Sequence, residues 1–474
     1  MICFCFKMMR RIRTIFIVYF CAASLILVPG CALFQKRPDV QLPDNLPTSW
    51  AVDVAIEDLP IAASLLDLVD DDHLRKLVKE ALENNPNLNA TALRLKAAGY
   101  FLSGPRSRLL PKVNAGFAKG RNNQGVDAQT GDRKTENSHR LSLGVSWEID
   151  IWGRFADEYA ASQNAVLAQE YEYLHARDAL AARAIQAWIE QVAIHRSMRI
   201  EEERVAILQR IEQFLIERYA GGIGNWNELA AAKSRTEIAR ADLSQRRAAW
   251  HRSIRGLEVL LGRYPRAELL AGEDLPAVNW PPVAVPATAL LNRPDIRAAL
   301  ARAEAAKDSA LAAQKALLPE LRLSGQLLKS STRLGSIGGT TTYWEILGGV
   351  FQPLFEGGRI IDESRGRRSE AEAALMELHH VVLQALKEVE NALDQDRELA
   401  EQVQALEVGA KESKRSSLYF NERYLEGLDS IQSPLIAKEQ EMAVRIRLNQ
   451  VSAARLSNRI DLSLALGIGL GNDI

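Results

Sequence analysis

Histidine and cysteine are the side chains best suited to metal binding or nucleophilic catalysis. This chain of 474 residues has seven of the first and four of the second. Neither set is arranged for chemistry. His379 and His380 are neighbours, so on a helix they point in different directions, and His73, His139, His175, His195 and His251 are scattered. No H-E-x-x-H pair places two imidazoles on one helix face, and no carboxylate–histidine cluster appears. Gly467, Gly469 and Gly471 give a glycine-rich tail, but no helix follows, so a nucleotide-binding reading fails. A phosphate-cradling lysine loop and a serine elbow are also missing. The expectation is a protein that is not an enzyme and carries no metal or dissociable cofactor. A net charge of −1 gives no basic field for nucleic acid. The runs Glu201-Glu202-Glu203 and Arg365-Gly366-Arg367-Arg368 read as solvated surface.

One thiol stands apart. All four cysteines, Cys3, Cys5, Cys21 and Cys31, lie at the extreme N-terminus, so cysteine metal sites and disulfides are excluded from the rest of the chain. Lys7, Arg10, Arg11 and Arg13 form a basic start, and Thr14 to Pro29 is a mostly apolar run of about 16 residues. A short membrane anchor is the alternative, but a spanning helix prefers about 20 residues, which favours a signal peptide. Val28-Pro29-Gly30-Cys31 resembles a bacterial lipoprotein cleavage box. That resemblance implies that Cys31 becomes an acylated first residue, and Ala32, in place of Asp, resembles the pattern of lipoproteins sent to the outer membrane.

The elements behind these residues come in two copies. Asn85-Pro86 through Leu109-Leu110-Pro111 returns as Arg293-Pro294 through Leu317-Leu318-Pro319, roughly 208 residues later. Gly144-Val145, Gly153-Arg154 and Glu217-Arg218-Tyr219 with Gly222 return as Gly349-Val350, Gly358-Arg359 and Glu422-Arg423-Tyr424 with Gly427. Each copy predicts a helix of about 24 residues starting at the repeated proline, two strands around a polar loop, a very long helix, a turn and another long helix. Gly104-Pro105 should kink or end the first of these early. No proline falls between Pro111 and Pro265 or between Pro353 and Pro434. The apolar stripes Ile185, Trp188, Ile189, Val192 and Val205, Leu208, Ile211, Leu215 then predict one helix from about Ala156 to Tyr219, roughly 95 Å long. The expected organisation is a signal peptide (1–30), an N-terminal arm (31–70), a first repeat (71–270), a Pro-rich linker (271–287) and a second repeat (288–471).

The strands alternate. Leu141, Leu143, Val145, Trp147 and Ile149 face one way, and Ser142, Gly144, Ser146 and Glu148 the other. Val113, Ala115 and Phe117 repeat the pattern, as do Leu321, Leu323 and Leu327, whereas Leu347 and Phe351 break it in the fourth strand. Alternation over about ten residues fits a transmembrane β-strand and equally a sheet half-buried on a soluble core. If the strands span a membrane, four cannot close a barrel around a channel, so several chains must pool them. Asn122 to His139 and Ser331 to Thr342 are then the outer loops.

Several motifs now occur in a specific order. They are Ala81-Leu82-Glu83-Asn84-Asn85-Pro86, Trp147 to Arg154, Glu217-Arg218-Tyr219 to Gly222, Leu260-Leu261-Gly262, Arg293-Pro294-Asp295-Ile296, Glu388 to Leu393 and Ala465-Leu466-Gly467. In this order the chain strongly resembles the TolC-like outer-membrane efflux proteins, in particular their lipid-anchored OprM/NodT branch. The resemblance implies a mainly α fold with a small β part and two tandem repeats. It implies a homotrimer whose four strands per chain form a twelve-stranded barrel in the outer-membrane lipid, with long coiled-coil-like helices forming a periplasmic tunnel. It implies a lipid-anchored exit duct working with a periplasmic adaptor and an inner-membrane RND-type pump. Two other readings stay open here: a lipid-anchored periplasmic adaptor and a type I secretion duct. The tunnel tip is expected at the turns of Gly222, Asn225 and Gly427. Relatives carry acids in the next helix, where this chain has Ser433 and Ile436, so closure is expected to use Gln432, Ser433 and Ile436, with Asp429 the nearest acid.

Overall fold

The computed structural model describes residues 40, 46–52, 64–69, 71–126, 133–269, 272, 274–283, 285–331 and 341–471. Cys31, the signal segment and most of the expected arm lie outside them. The elements run α1 (Asp72–Asn84), α2 (Pro86–Phe101), α3 (Ser103–Arg108), β1 (Lys112–Val126), β2 (Arg133–Ile149), α4 (Arg154–Ala220) and α5 (Trp226–Leu260). There follow α6 (Pro286–Asn292), α7 (Pro294–Lys315), β3 (Glu320–Ser331), β4 (Thr341–Phe351), α8 (Arg359–Leu425) and α9 (Gln432–Ala465).

The expected helices form where propensity and breakers put them. Pro86 and Pro294 open α2 and α7, where a missing N–H costs nothing. Gly104-Pro105 breaks the first of these, so the helix stops at Phe101 and resumes as α3. α4 and α8 each run 67 residues unbroken, about 100 Å at 1.5 Å per residue. Pro286, inside the region read as linker, opens the short helix α6.

Two units make up the chain. One is built from Lys96–Gln169 and Ala299–Leu378 and holds the sheet. The other is built from Leu42–Leu95, Glu170–Ala298 and His379–Ile474. In the second, Ile185, Trp188, Ile189 and Val192 of α4 are buried against α1, Leu257 of α5 and Ile460 of α9. Val205, Leu208 and Leu215 pack with Ala239 and Leu243 of α5 and with Leu435 of α9. Both stripes are therefore core, as their spacing requires.

The repeated residue before each proline closes its own copy. Asn85 Nδ2 donates to the Leu260 carbonyl (2.9 Å), and Arg293 Nη1 donates to the Ala465 carbonyl (2.9 Å). Each catches an orphan acceptor at the C-terminus of a long helix. Gly262 (φ 73°) follows the first of these ends, and a Cβ there would stand 2.5 Å from the Asn84 carbonyl. The glycine-rich tail is explained the same way: a Cβ on Gly469 would overlap Asp178, whose carboxylate accepts the Leu470 N–H.

The strands form one antiparallel sheet in the order β1-β2-β3-β4. β1 and β2 extend further than the sequence reading, since 122–126 and 133–139 of the expected outer loop are strand. Ser331 and Thr341-Thr342 likewise belong to strands. Alternation reports what the two faces meet, whereas ladder hydrogen bonds continue through polar residues. Residues 127–132 and 332–340, the remaining parts of these loops, lie outside the described residues.

Candidate functional site

Register assembles one continuous face from all four strands. Val113 pairs with Val145, which pairs with Gly325, which pairs with Ile346. Ala115, Leu143, Leu327 and Trp344 form the next row. Trp147, Leu323 and Gly348 form another, and Ile149, Leu321 and Val350 a fourth. Ser142, Gly144, Ser146 and Glu148 share the opposite face with Gln326, Ser324, Arg322 and Glu345. Leu347 and Phe351, which seemed to break the fourth strand, fall on this polar face, while Trp344, Ile346 and Val350 complete the apolar one.

Among the described residues nothing covers the apolar face. Val113, Phe117, Trp344, Ile346 and Val350 are 58–72% exposed. A sheet seated on a soluble core would bury this face, so the half-buried alternative fails. So large a bare apolar surface marks contact with lipid or with other protein. From Leu141 to Ile149 it extends about 27 Å along the strand, the length of a membrane-spanning strand. Exposed Tyr100, Phe101, Trp152 and Phe355 flank β1, β2 and β4 at one end of the sheet, as aromatic residues do at a lipid–water boundary. At that end Arg154 bridges Glu148 (2.7 Å) and Glu320 (3.1 Å). Among the described residues β1 and β4 each keep one unpaired edge, which hydrocarbon does not tolerate. No helix among the described residues is long and apolar enough to cross a membrane.

The two glycine turns are copies of one another. Gly222 and Gly427 both have φ 74°, where a side chain would be strained. Ile223 N–H donates to the Arg218 carbonyl (3.1 Å) and Leu428 N–H to the Arg423 carbonyl (2.9 Å), giving the same helix-ending motif twice. Asn225, expected at the tip, caps α5: its Oδ1 accepts the Asn227 N–H at 2.9 Å. A third glycine escaped the sequence reading. A Cβ on Gly224 would lie 2.6 Å from the Tyr219 nitrogen. In the second copy Asp429 takes that place.

Asp429 is not a free acid. Arg423 Nε donates to its carboxylate at 2.6 Å, and the guanidinium lies 5.7 Å over the Tyr419 ring. The Asp429 and Tyr419 hydrogen bonds hold the Arg423 proton more firmly than usual. Arg218 has the same place in the first copy and donates to the Ile223 carbonyl (3.4 Å). The arginine of each Glu-Arg-Tyr motif therefore clamps the turn that follows it, a role that the repeated motif signalled and the sequence reading missed. Leu435 is buried and Ile436 is exposed. Gln432 is exposed and Ser433 half-buried, and among the described residues neither side chain is hydrogen-bonded within the chain.

The acidic run needs a correction. Glu201 is 2% exposed rather than solvated. Arg204 holds it at 2.8 Å and Arg246 at 3.6 Å, and Arg204 also meets Asp242 (3.1 Å) and Glu439 (3.5 Å). Burial works against the Arg204 charge, but its bonds to Glu201 and Asp242 outweigh it and raise its pKa. A buried carboxylate needs such partners, and they come from three helices far apart in sequence. The Arg365–Arg368 run behaves as read: its ion pairs to Asp362, Glu370 and Glu372 are exposed. Among the described residues no cluster of His, Cys, Asp and Glu is arranged to hold a metal.

The described residues thus combine a sheet with one bare apolar face and two helices of 67 residues each. The chain belongs to the outer membrane efflux protein family, whose model matches residues 77–263 and 285–468. It is 25% identical over 413 residues to the pyoverdine export outer membrane protein OpmQ of Pseudomonas aeruginosa, covering 84% of this chain and 86% of that one. It is 25% identical over 463 residues to the cation efflux system protein CusC of Escherichia coli, covering 95% and 98%. Among solved structures, the outer-membrane channel OprN superposes with a TM-score of 0.82 at 24% identity, over 92% of this chain and 99% of that one. The CmeC outer membrane channel of Campylobacter jejuni gives 0.84 at 23%, over 92% and 96%. The family match sets aside the adaptor reading.

Proposed function

We propose that this outer-membrane efflux protein is the passive exit duct of a tripartite exporter. Three copies pool their strands into a twelve-stranded barrel with the apolar face toward lipid and the polar face toward the conduit. Acylated Cys31 anchors each chain, an acyl chain contributing about 0.8 kcal/mol per buried methylene. The long helices form the periplasmic tunnel, and the Gly222 and Gly427 turns form its inner mouth. There they meet a periplasmic adaptor and an inner-membrane pump of the RND type, which supplies the energy. The exposed Ile223, Trp226, Leu425 and Leu428 on these turns suit an apolar protein contact.

The observation that carries this reading is the bare apolar face ending in two unpaired edges. One chain leaves both liabilities open, and a closed ring of chains in lipid removes both. The test is the protein–detergent complex of the mature protein. Its protein mass is expected at three chains, each starting at acylated Cys31, and it should conduct ions in planar bilayers. A stable monomer that neither inserts nor conducts overturns the duct. A different first residue, or an unmodified Cys31, overturns the anchor alone.

A further inference from the structure

The exposed side of α9 has an unusual charge pattern. Gln432, Ile436, Gln440, Ala443, Arg447 and Gln450 are all exposed. Their spacing of three and four puts them on one helix face, over about 27 Å. That stripe contains no carboxylate and one arginine. Arg447 lines a groove of 810 Å³ together with Arg246 and Arg252 of α5.

The carboxylates of this groove are already engaged. Glu201, Asp242 and Glu439 all pair with Arg204, and Arg246 adds to Glu201. Among the described residues, Arg252 and Arg447 have no acceptor. Two forked guanidiniums beside a neutral stripe present positive charge that the chain itself does not neutralise. A guanidinium fork binds carboxylates in two-point fashion, and a concave wall concentrates the field it produces.

We infer that the α5–α9 groove is a binding site for multivalent organic anions bearing carboxylates. It forms a stopping point on the conduit wall, reached along the uncharged stripe from the Gln432 end. This rests on the duct reading for its place on a conduit, while the binding itself does not. The absence of acids at Ser433 and Ile436 then fits one purpose, because acids there would repel such cargo from the mouth.

Citrate is the probe, titrated calorimetrically into the purified full-length protein at about 50 mM salt, where screening is modest. Saturable binding is expected, with acetate much weaker. R252Q/R447Q should weaken citrate by at least about tenfold, because both forks are removed. Both residues are exposed, so the fold should survive. Ala443→Glu, also exposed, is a second variant that leaves the arginines intact and should weaken citrate by repulsion. No citrate binding to the wild type, or equal binding to the wild type and both variants, overturns the inference. Bilayer recordings separate this from the duct. A conducting channel indifferent to citrate refutes the site alone, whereas citrate binding without conductance refutes the duct alone.

Discussion

Val145→Arg places a charge at the middle of the apolar face, between Val113 and Gly325. Val145 is 40% exposed on a single chain, so little of the chain itself needs to move. If the face meets hydrocarbon, arginine near the midplane costs about 2–4 kcal/mol per chain. That is a loss of roughly 30- to 700-fold in the folding equilibrium constant. The comparison is Ser324→Arg. Ser324 sits on the opposite face, between Ser146 and Leu347, and there, on the proposed duct, the guanidinium would meet water. Its cost should stay below about 0.5 kcal/mol. Urea titrations of folding into lipid vesicles, followed by tryptophan fluorescence, measure both. Normal insertion of Val145→Arg together with failure of Ser324→Arg would show that the faces are reversed. Equal small effects would refute a membrane-facing sheet.

Asp396→Ala should destabilise the second unit by about 3–5 kcal/mol, because Arg459, 4% exposed, and Arg455 both lose their buried partner. A change under about 1 kcal/mol in denaturant unfolding contradicts that burial. Burial works to raise the Glu258 pKa, but the backbone N–H groups of Ala267, Glu268 and Leu269 outweigh it, so the carboxyl ionises below 4.5. Because the folded-state pKa is the depressed one, this stabilisation is complete above pH 4.5 and disappears as pH falls through the folded value. The protection factors of amides 263–269, which are corrected for the intrinsic pH dependence of exchange, should fall as pH drops across that window, and Glu258→Gln should abolish that change. Ile436→Asp should make single-channel conductance sensitive to divalent cations, to which the wild type is indifferent. Strong divalent block of the wild type, removed by Asp429→Asn, refutes the neutral tip, since it requires Asp429 to act outside its pair with Arg423.

The duplication, the long helices and the alternating strands were legible from the chain before folding was considered. These depend on breakers and periods within a few turns of chain: Pro86 and Pro294 can only start a helix, and α4 contains nothing to stop it. The seven histidines, His379-His380 apart, stand far from one another along the chain, and spacing alone does not say what folding brings together. What those elements face came from the packing. Alternation at Leu141–Ile149 suits a soluble sheet and a membrane sheet equally, whereas cross-strand register with Trp344 and Ile346 shows that the apolar face is continuous over all four strands and bare among the described residues. Glu201 looked like surface because, although Arg204 lies one turn away on the same helix, Arg246 of α5 and the helices that bury the pair reach it only through folding. The spacing of Arg423 and Asp429 does not by itself show that the arginine folds back onto the acid. Periodicity is a property of neighbours along the chain, whereas burial and charge pairing depend on groups that only folding brings together.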